Sequence, residues 1–280
     1  MTNPIGICDS GSGGLTVLGA CAKALPDQPF FYLGDHNRGP YGNRSEAEIL
    51  KFTTAMIETL FGRGIRLVIL ACNTASAIAL REIQEEWLPG HYPDHRILGV
   101  LVPMVEALTG LDWDRNNPGL SSVPSKNVGV FATHSTVESG AYPHQVRLRA
   151  PKVQVIQQAC PGLVGAIEEN LAEDDLRDMV ASFCTKLMGQ LIGERLDAVF
   201  LGCTHYPLVE NLFRDALPAG VEILSQPDIV AASLTAYLTR HPEFADNSGG
   251  KLEFFTTGDP AALSHLEQFL PGTKLDFKTL

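Results

Sequence analysis

The sequence predicts an α/β fold: two domains of parallel-sheet βαβ architecture, related by pseudo-symmetry, with the active site in the cleft between them. Three observations predict it. Short apolar runs of strand type alternate with helical patterns through nearly all 280 residues, as parallel sheets require. A weak internal repeat sets Ile5-Gly6-Ile7-Cys8-Asp9-Ser10 against Val128-Gly129-Val130-Phe131-Ala132-Thr133. Two further runs end alike in a thiol, Val68-Ile69-Leu70-Ala71-Cys72-Asn73-Thr74 and Val199-Phe200-Leu201-Gly202-Cys203-Thr204-His205.

Taken in order, the apolar runs place strands over 5–8, 29–33, 66–71, 97–102, 127–132, 152–156 and 198–201. Helical periodicity and capping residues place helices over 14–24, 45–63, 74–87, 161–171 and 173–193. Segments 114–126 and 245–250, rich in Asn, Ser and Gly, read as exposed loops. In each half an opening strand with a polar loop precedes a thiol-tipped strand, 64 residues on from Cys8 to Cys72 and 72 from Phe131 to Cys203. Ligands of open parallel sheets bind beyond the carboxyl ends of the strands. Two halves facing each other would set both thiols in one cleft.

Composition bounds the function. A net charge of -11 and a pI near 5.1 argue against a nucleic-acid partner, which needs a basic face. An anionic small substrate stays open, because a pocket is set by local groups. Six cysteines show no C-x-x-C pair; no signal peptide opens the chain and no apolar run reaches the roughly 20 residues of a membrane span. The expectation is a cytoplasmic protein with reduced thiols and no membrane partner.

The chemistry-bearing residues cluster at the strand ends. Cys72 is either a buried structural cysteine or a reactive one; Asn73 and Thr74 suit the cap of the helix that follows, and a thiol at a helix start is held more readily as thiolate. Cys203 has the same setting, with Thr204 as cap, Pro207 near a helix start and His205 as proton-transfer partner. A metal held by Cys203, His205 and Cys72 is disfavoured, because zinc cysteines come in tight pairs; no metal is expected. Asp9 and Ser10 precede the turn Gly11-Ser12-Gly13-Gly14, whose N–H groups suit an anion. The turn fits neither dinucleotide nor P-loop spacing, so a small carboxylate suits it as well as a phosphate. Asp35 follows the second strand in the same way, Pro40-Tyr41-Gly42 reads as a turn over the strand ends, and Thr133, Ser135 and Thr136 place hydroxyls at the matching loop of the second half.

At these positions the chain resembles the glutamate racemases of the aspartate/glutamate racemase family. The matching motifs are GICDSGSGGLTV from Gly6 to Val17, Pro40-Tyr41-Gly42, ACNTASA from Ala71 to Ala77, Cys160-Pro161 leading to Glu168, and GCTHYPL from Gly202 to Leu208. The resemblance implies cofactor-independent inversion at Cα of glutamate, supplying D-glutamate for peptidoglycan. It makes Cys72 and Cys203 the catalytic pair, with Asp9 the helper of Cys72 and His205 that of Cys203. Asp9, Ser10, Tyr41, Gly42, Asn73, Thr74, Thr204 and His205 then contact the substrate, with Thr133 and Thr136 in the matching loop, and Asp35 and Glu168 assist as acids. It also implies a first domain of residues 1–99 plus 208–280 and a second of 100–207, with a homodimer left open. The chain departs from the family pattern at Gly165, where proline is common, in the length of the 114–126 loop, and at Ser225-Gln226-Pro227, where an Asp often stands.

Two thiols on opposite faces of one carbon suit racemisation, since one abstracts as thiolate while the other donates as thiol. Three rivals remain at this point. A racemase for another small acid such as aspartate would use the same thiols. A hydrolase with Cys203 as nucleophile and His205 as base would leave Cys72 unexplained. A non-catalytic binding role has no surface in the sequence to mark it.

Overall fold

The computed structural model describes residues 3–113, 123–263 and 266–280. Its strands, numbered in chain order, are β1 Ile5–Asp9, β2 Phe30–Gly34, β3 Leu67–Leu70, β4 Arg96–Gly99, β5 Lys126–Ala132, β6 Val153–Ala159, β7 Ala198–Gly202, β8 Glu222–Leu224, β9 Leu252–Thr256 and β10 Phe277–Thr279. They form a six-stranded sheet, β10-β9-β2-β1-β3-β4, and a four-stranded sheet, β6-β5-β7-β8. Every pairing is parallel. The core of the first sheet, β2-β1-β3-β4, and the whole of the second share one strand order, which is the sequence repeat in topological form.

The central strands are buried on both faces. All residues of β1, β2, β3 and β7 are buried, which explains runs such as Leu67-Val68-Ile69-Leu70 in place of an apolar–polar alternation. Helix Glu46–Gly62 starts at a capping box in which Ser45 and Glu48 satisfy each other's backbone N–H groups, with Glu46 and Glu48 in the first turn. Buried rings pack on the second sheet in two pairs, Phe131 with Phe213 at 4.9 Å and Tyr142 with Phe200 at 5.0 Å.

The chain divides into one compact unit of Met1–Val100 with Pro227–Leu280 and a second of Leu101–Gln226. Residues 208–226 therefore sit with the second sheet, not with the first as the sequence reading has it. The reason is β8, which pairs with β7 through Ala198↔Glu222 to Phe200↔Leu224.

Other boundaries move for identifiable reasons. The strand expected over 97–102 ends at Gly99, and Leu101 already opens helix Leu101–Thr109; Pro103 falls in its first turn, where a missing N–H costs nothing. The helix expected over 74–87 is broken into Asn73–Ile78 and Leu80–Glu82, widens to a π turn over Ile83–Trp87, and ends as Leu88–His91. Pro89 cannot donate to the carbonyl four residues back and its ring crowds it, which a wider turn relieves. The helices expected over 161–171 and 173–193 are Leu163–Glu168 and Glu173–Gly189. The first follows a left-handed Gly162 at φ 81°. Segment 245–250 is loop, residues 114–122 of the other expected loop lie outside the described residues, and Lys126 already belongs to β5. Among the described residues no helix is long and apolar enough to cross a membrane.

Because Phe200 is fully buried against Tyr142, Phe200→Ala should destabilise the second unit by about 3–5 kcal/mol. Hydrogen exchange should show the loss as faster exchange in β5 and β7, with β1 and β3 retaining protection.

Candidate active site

In the first unit the polar residues leave the sheet from adjacent strand ends. β1 lies between β2 and β3 in register, with Cys8 opposite Leu33 and Leu70. The ladder runs one residue further: Asp35 N–H donates to the Asp9 carbonyl at 2.9 Å and Ala71 N–H to the Cys8 carbonyl at 2.8 Å. Asp9-Ser10, Asp35 and Cys72 therefore emerge side by side. Asp9 is fully buried, and its Oδ1 accepts the Gly11 N–H at 2.9 Å. The Cys72 thiol, 6% exposed, donates to Ser10 Oγ at 3.5 Å. The fully buried Cys8 thiol is pushed well up, by burial first and then by its neighbours Asp9, Cys72 and Asp35.

The loop has room for no larger backbone. A Cβ on Gly14 would lie 2.6 Å from Asp9 Cβ, and one on Gly39 would lie 2.0 Å from the Ser10 carbonyl oxygen. Tyr32 donates to the Gly11 carbonyl at 2.7 Å, and His36 bridges Ser12 Oγ at 3.1 Å and Thr256 Oγ1 at 2.9 Å. Sequence reasoning passes over Tyr32 and His36, because only the fold brings β2 and β9 beneath the Gly-rich turn.

Asp35 is a structural hub. Its carboxylate accepts hydrogen bonds from the Tyr41 hydroxyl, from Arg38 Nε at 3.0 Å and from Thr257 Oγ1 at 2.6 Å. Burial and the Asp35 charge push the Tyr41 phenol well up, so it stays protonated and donating. Tyr41 and Gly42 are buried in a 3-10 turn beside helix Asn73–Ile78, and Asn73 and Thr74 are buried at that helix's start. The cap position itself belongs to Cys72, with no side-chain cap bond, and not to Asn73 or Thr74.

The second unit repeats the layout with different chemistry. Ala132 is opposite both Ala159 and Gly202, so Thr133, Cys160 and Cys203 leave together. Thr133 caps helix His134–Glu138 by accepting the Thr136 N–H, and the two hydroxyls lie 2.9 Å apart. The Cys203 thiol, 6% exposed, lies 3.8 Å from His205 Nδ1, and His205 Nε2 lies 2.8 Å from Glu168 Oε1. A sulfur, an imidazole and a carboxylate thus form one line. Burial of His205 opposes its protonation, but Cys203 and Glu168 outweigh burial and push its pKa up to about 10. His205, not Thr204, precedes the 3-10 turn Tyr206–Val209. Cys160 and Tyr206 were not singled out from the sequence, although the Cys160-Pro161 pair lies in a motif. The Tyr206 hydroxyl donates to the Cys160 carbonyl at 3.5 Å, and burial, then the neighbouring Cys203, pushes the Cys160 thiol up.

The structure thus assembles the expected residues into two clusters. One holds Asp9, Ser10, Asp35, Tyr41, Gly42, Cys72, Asn73 and Thr74; the other holds Thr133, Thr136, Glu168, Cys203, Thr204 and His205. Both sheets are parallel, and each presents a nearly buried thiol at an equivalent strand end. The Asp/Glu/Hydantoin racemase family model matches residues 15–234, and the chain belongs to that family. It is similar to the glutamate racemase of Dinoroseobacter shibae, 43% identical over 99% of this chain and 98% of the relative. Among solved structures it is similar to glutamate racemase isoform RacE1 from Bacillus anthracis, with TM-score 0.85, 30% identity and coverage of 99% and 97%. It is also similar to glutamate racemase from Francisella tularensis in complex with D-glutamate, with TM-score 0.84, 26% identity and coverage of 100% and 97%.

The histidine line sets a pH expectation. With a folded value near 10 against an ordinary 6.5, protonated His205 contributes stability that is complete below about pH 6.5 and is lost as pH rises through about 10. Glu168→Gln removes one of the groups that raise it, so the His205 titration should move to lower pH by NMR. A wild-type imidazole titrating near 6.5, or one unmoved by Glu168→Gln, would show that no such line operates.

Proposed function

We propose that the chain interconverts L- and D-glutamate without a cofactor, by proton transfer at Cα between two thiols, and so supplies D-glutamate for peptidoglycan. The observation that carries the reading is the pair of nearly buried thiols at equivalent ends of β3 and β7, each beside its own polar partner. Similarity to a glutamate racemase, 43% identical over 99% of the chain, supports glutamate over aspartate.

In this scheme Cys203, as thiolate, takes the proton from Cα of L-glutamate, and the Cys72 thiol returns a proton to the opposite face; D-glutamate runs the exchange in reverse. A thiol suits the task because both its protonation states are accessible near neutral pH. An imidazolium at His205 and a thiolate at Cys203 stabilise each other, and Glu168 orients the ring. Cys72 instead meets the neutral Ser10 hydroxyl, with Asp9 in the same loop to take up or relay a proton. As Cα loses its proton, charge builds on the α-carboxylate. Backbone N–H groups and side chains around Ser10, Asn73 and Thr204 hold that charge. Thr74, Thr133 and Thr136 add hydroxyls, and Tyr41-Gly42 closes the turn over the strand ends, held there by Asp35.

The scheme makes Cys72→Ala and Cys203→Ala each lose full racemisation, followed by circular dichroism with Cα exchange in deuterated water. Elimination from a chlorinated glutamate analogue, which needs one base, should survive in one of them. Near-parental racemisation by either variant would sink the two-thiol scheme. Activity should also persist after exhaustive removal of pyridoxal phosphate, and aspartate in the same assay should turn over far more slowly than glutamate.

A further inference from the structure

Between Glu138 and Glu168 the chain carries no Asp or Glu, although it has 32 acidic residues in all. That stretch builds helix Ala141–Arg149 and β6, the edge strand of the second sheet. Together they line a groove of about 610 Å³. Gly140, Pro143, His144 and Arg147 fall on one helix face by their spacing of three and four, and Pro151, Lys152 and Val153 continue the wall into the strand.

Half of the described Lys and Arg side chains of this unit stand in ion pairs. Lys126 pairs with Glu222, Arg177 with Glu173 and Asp215, Arg195 with Asp197, and Arg214 with Glu210. Arg147 and Lys152, both exposed, have no carboxylate partner among the described residues. The nearest acid in sequence, Glu138, is engaged by His134 at 3.3 Å. On a chain of net charge -11, two bare cations converging on a concavity make a local positive potential that draws anions to that spot.

Size and lining narrow the ligand. Small-molecule sites run from about 300 to 1,000 Å³, so the groove exceeds what an inorganic ion fills. Pro143, Pro151 and Val153 offer apolar surface beside the charges. Arg and Lys together suit a phosphate, the guanidinium by its fork and the ammonium as a point charge. We infer that this groove binds a small phosphorylated organic molecule with at least two negative charges. Its phosphates sit on Arg147 and Lys152, and its organic part lies on Pro143, Pro151 and Val153. The site is independent of the thiol chemistry and uses none of its residues.

The test is calorimetric titration of the full chain with ADP, pyrophosphate, inorganic phosphate and an oligoglutamate peptide, with NMR shifts to locate binding. ADP should bind most tightly, with shifts confined to residues 140–155. Arg147→Glu with Lys152→Glu should weaken ADP at least tenfold while basal racemisation and thermal stability stay at parental level. Arg214→Glu, which removes a paired cation elsewhere, should change ADP affinity less than twofold. Inorganic phosphate binding as tightly as ADP, peptide binding without ADP binding, or ADP affinity unchanged in the double variant would each overturn the assignment.

Discussion

Parallel pairing about one central strand in each sheet is the constraint on which the rest depends. Because β2, β1 and β3 run the same way in register, their carboxyl ends share one edge of the sheet. The chain can leave that edge only as three neighbouring turns. The ladder bonds just past the strands, Asp35 N–H to the Asp9 carbonyl and Ala71 N–H to the Cys8 carbonyl, fix where Asp9, Asp35 and Cys72 begin. In the second sheet, Cys160 N–H to the Ala132 carbonyl at 2.9 Å does the same for Thr133 and Cys160. Backbone hydrogen bonding thus sets the side chains before any side-chain interaction acts.

Given equivalent backbones, the two thiols differ in their electrical surroundings. Cys203 has a histidine that Glu168 helps to keep protonated. Cys72 has the Ser10 hydroxyl. Asp35 is committed to Tyr41, Arg38 and Thr257, which makes it a positioning residue for the Tyr41-Gly42 turn; Asp9 stands at the loop itself. Cys72 and Cys203 each also have a buried sulfur for a neighbour, Cys8 in one unit and Cys160 in the other. Burial pushes both neighbouring thiols up, so in the proposed scheme neither would set a second negative charge beside the sulfur that exchanges the proton.

Much of this was legible in the sequence, and the gaps have physical causes. The buried central strands announce themselves, since a strand covered on both faces must be an apolar run, and Cys72 and Cys203 stand out at the ends of two such runs. The strands after β7 do not: β8 and β10 are three residues each, with Glu222 and Lys278 exposed, and β9, Leu252–Thr256, also goes unread although it lies inside the first sheet. Missing β8 moved the domain boundary, because one short strand decides to which sheet residues 208–226 belong. Helix Ala141–Arg149 carries Pro143, His144 and three further polar side chains, which blurs its periodicity. Roles at a helix start were misassigned for a related reason: Asn73 and Thr204 are good capping types, but the strand ladder delivers Cys72 and His205 to those positions. The links His205–Glu168 and His36–Thr256 span 37 and 220 residues. A residue's neighbours over such distances follow from topology alone.

A doubled scaffold suits the proposed reaction for a reason that lies in its symmetry. Substrate and product are mirror images at one carbon, so neither direction can dispense with a base, and the two bases must do equivalent work on opposite faces. Repeating one strand order delivers each sulfur from the same local frame, past the third strand of a 2-1-3-4 sheet. The two carboxylates of glutamate are inequivalent, however, one on Cα and one at the end of the side chain, and a strictly duplicated site would not match them. The differences between the halves meet this need. In the proposed scheme the donors to the carboxylates would come unequally, from the Gly-rich loop of one unit and the threonines of the other. An imidazole stands beside one sulfur and a hydroxyl beside the other, so in the proposed scheme the two bases would have unlike partners. Equivalence of backbone with inequivalence of neighbours is therefore what a two-base inversion of a single small acid requires.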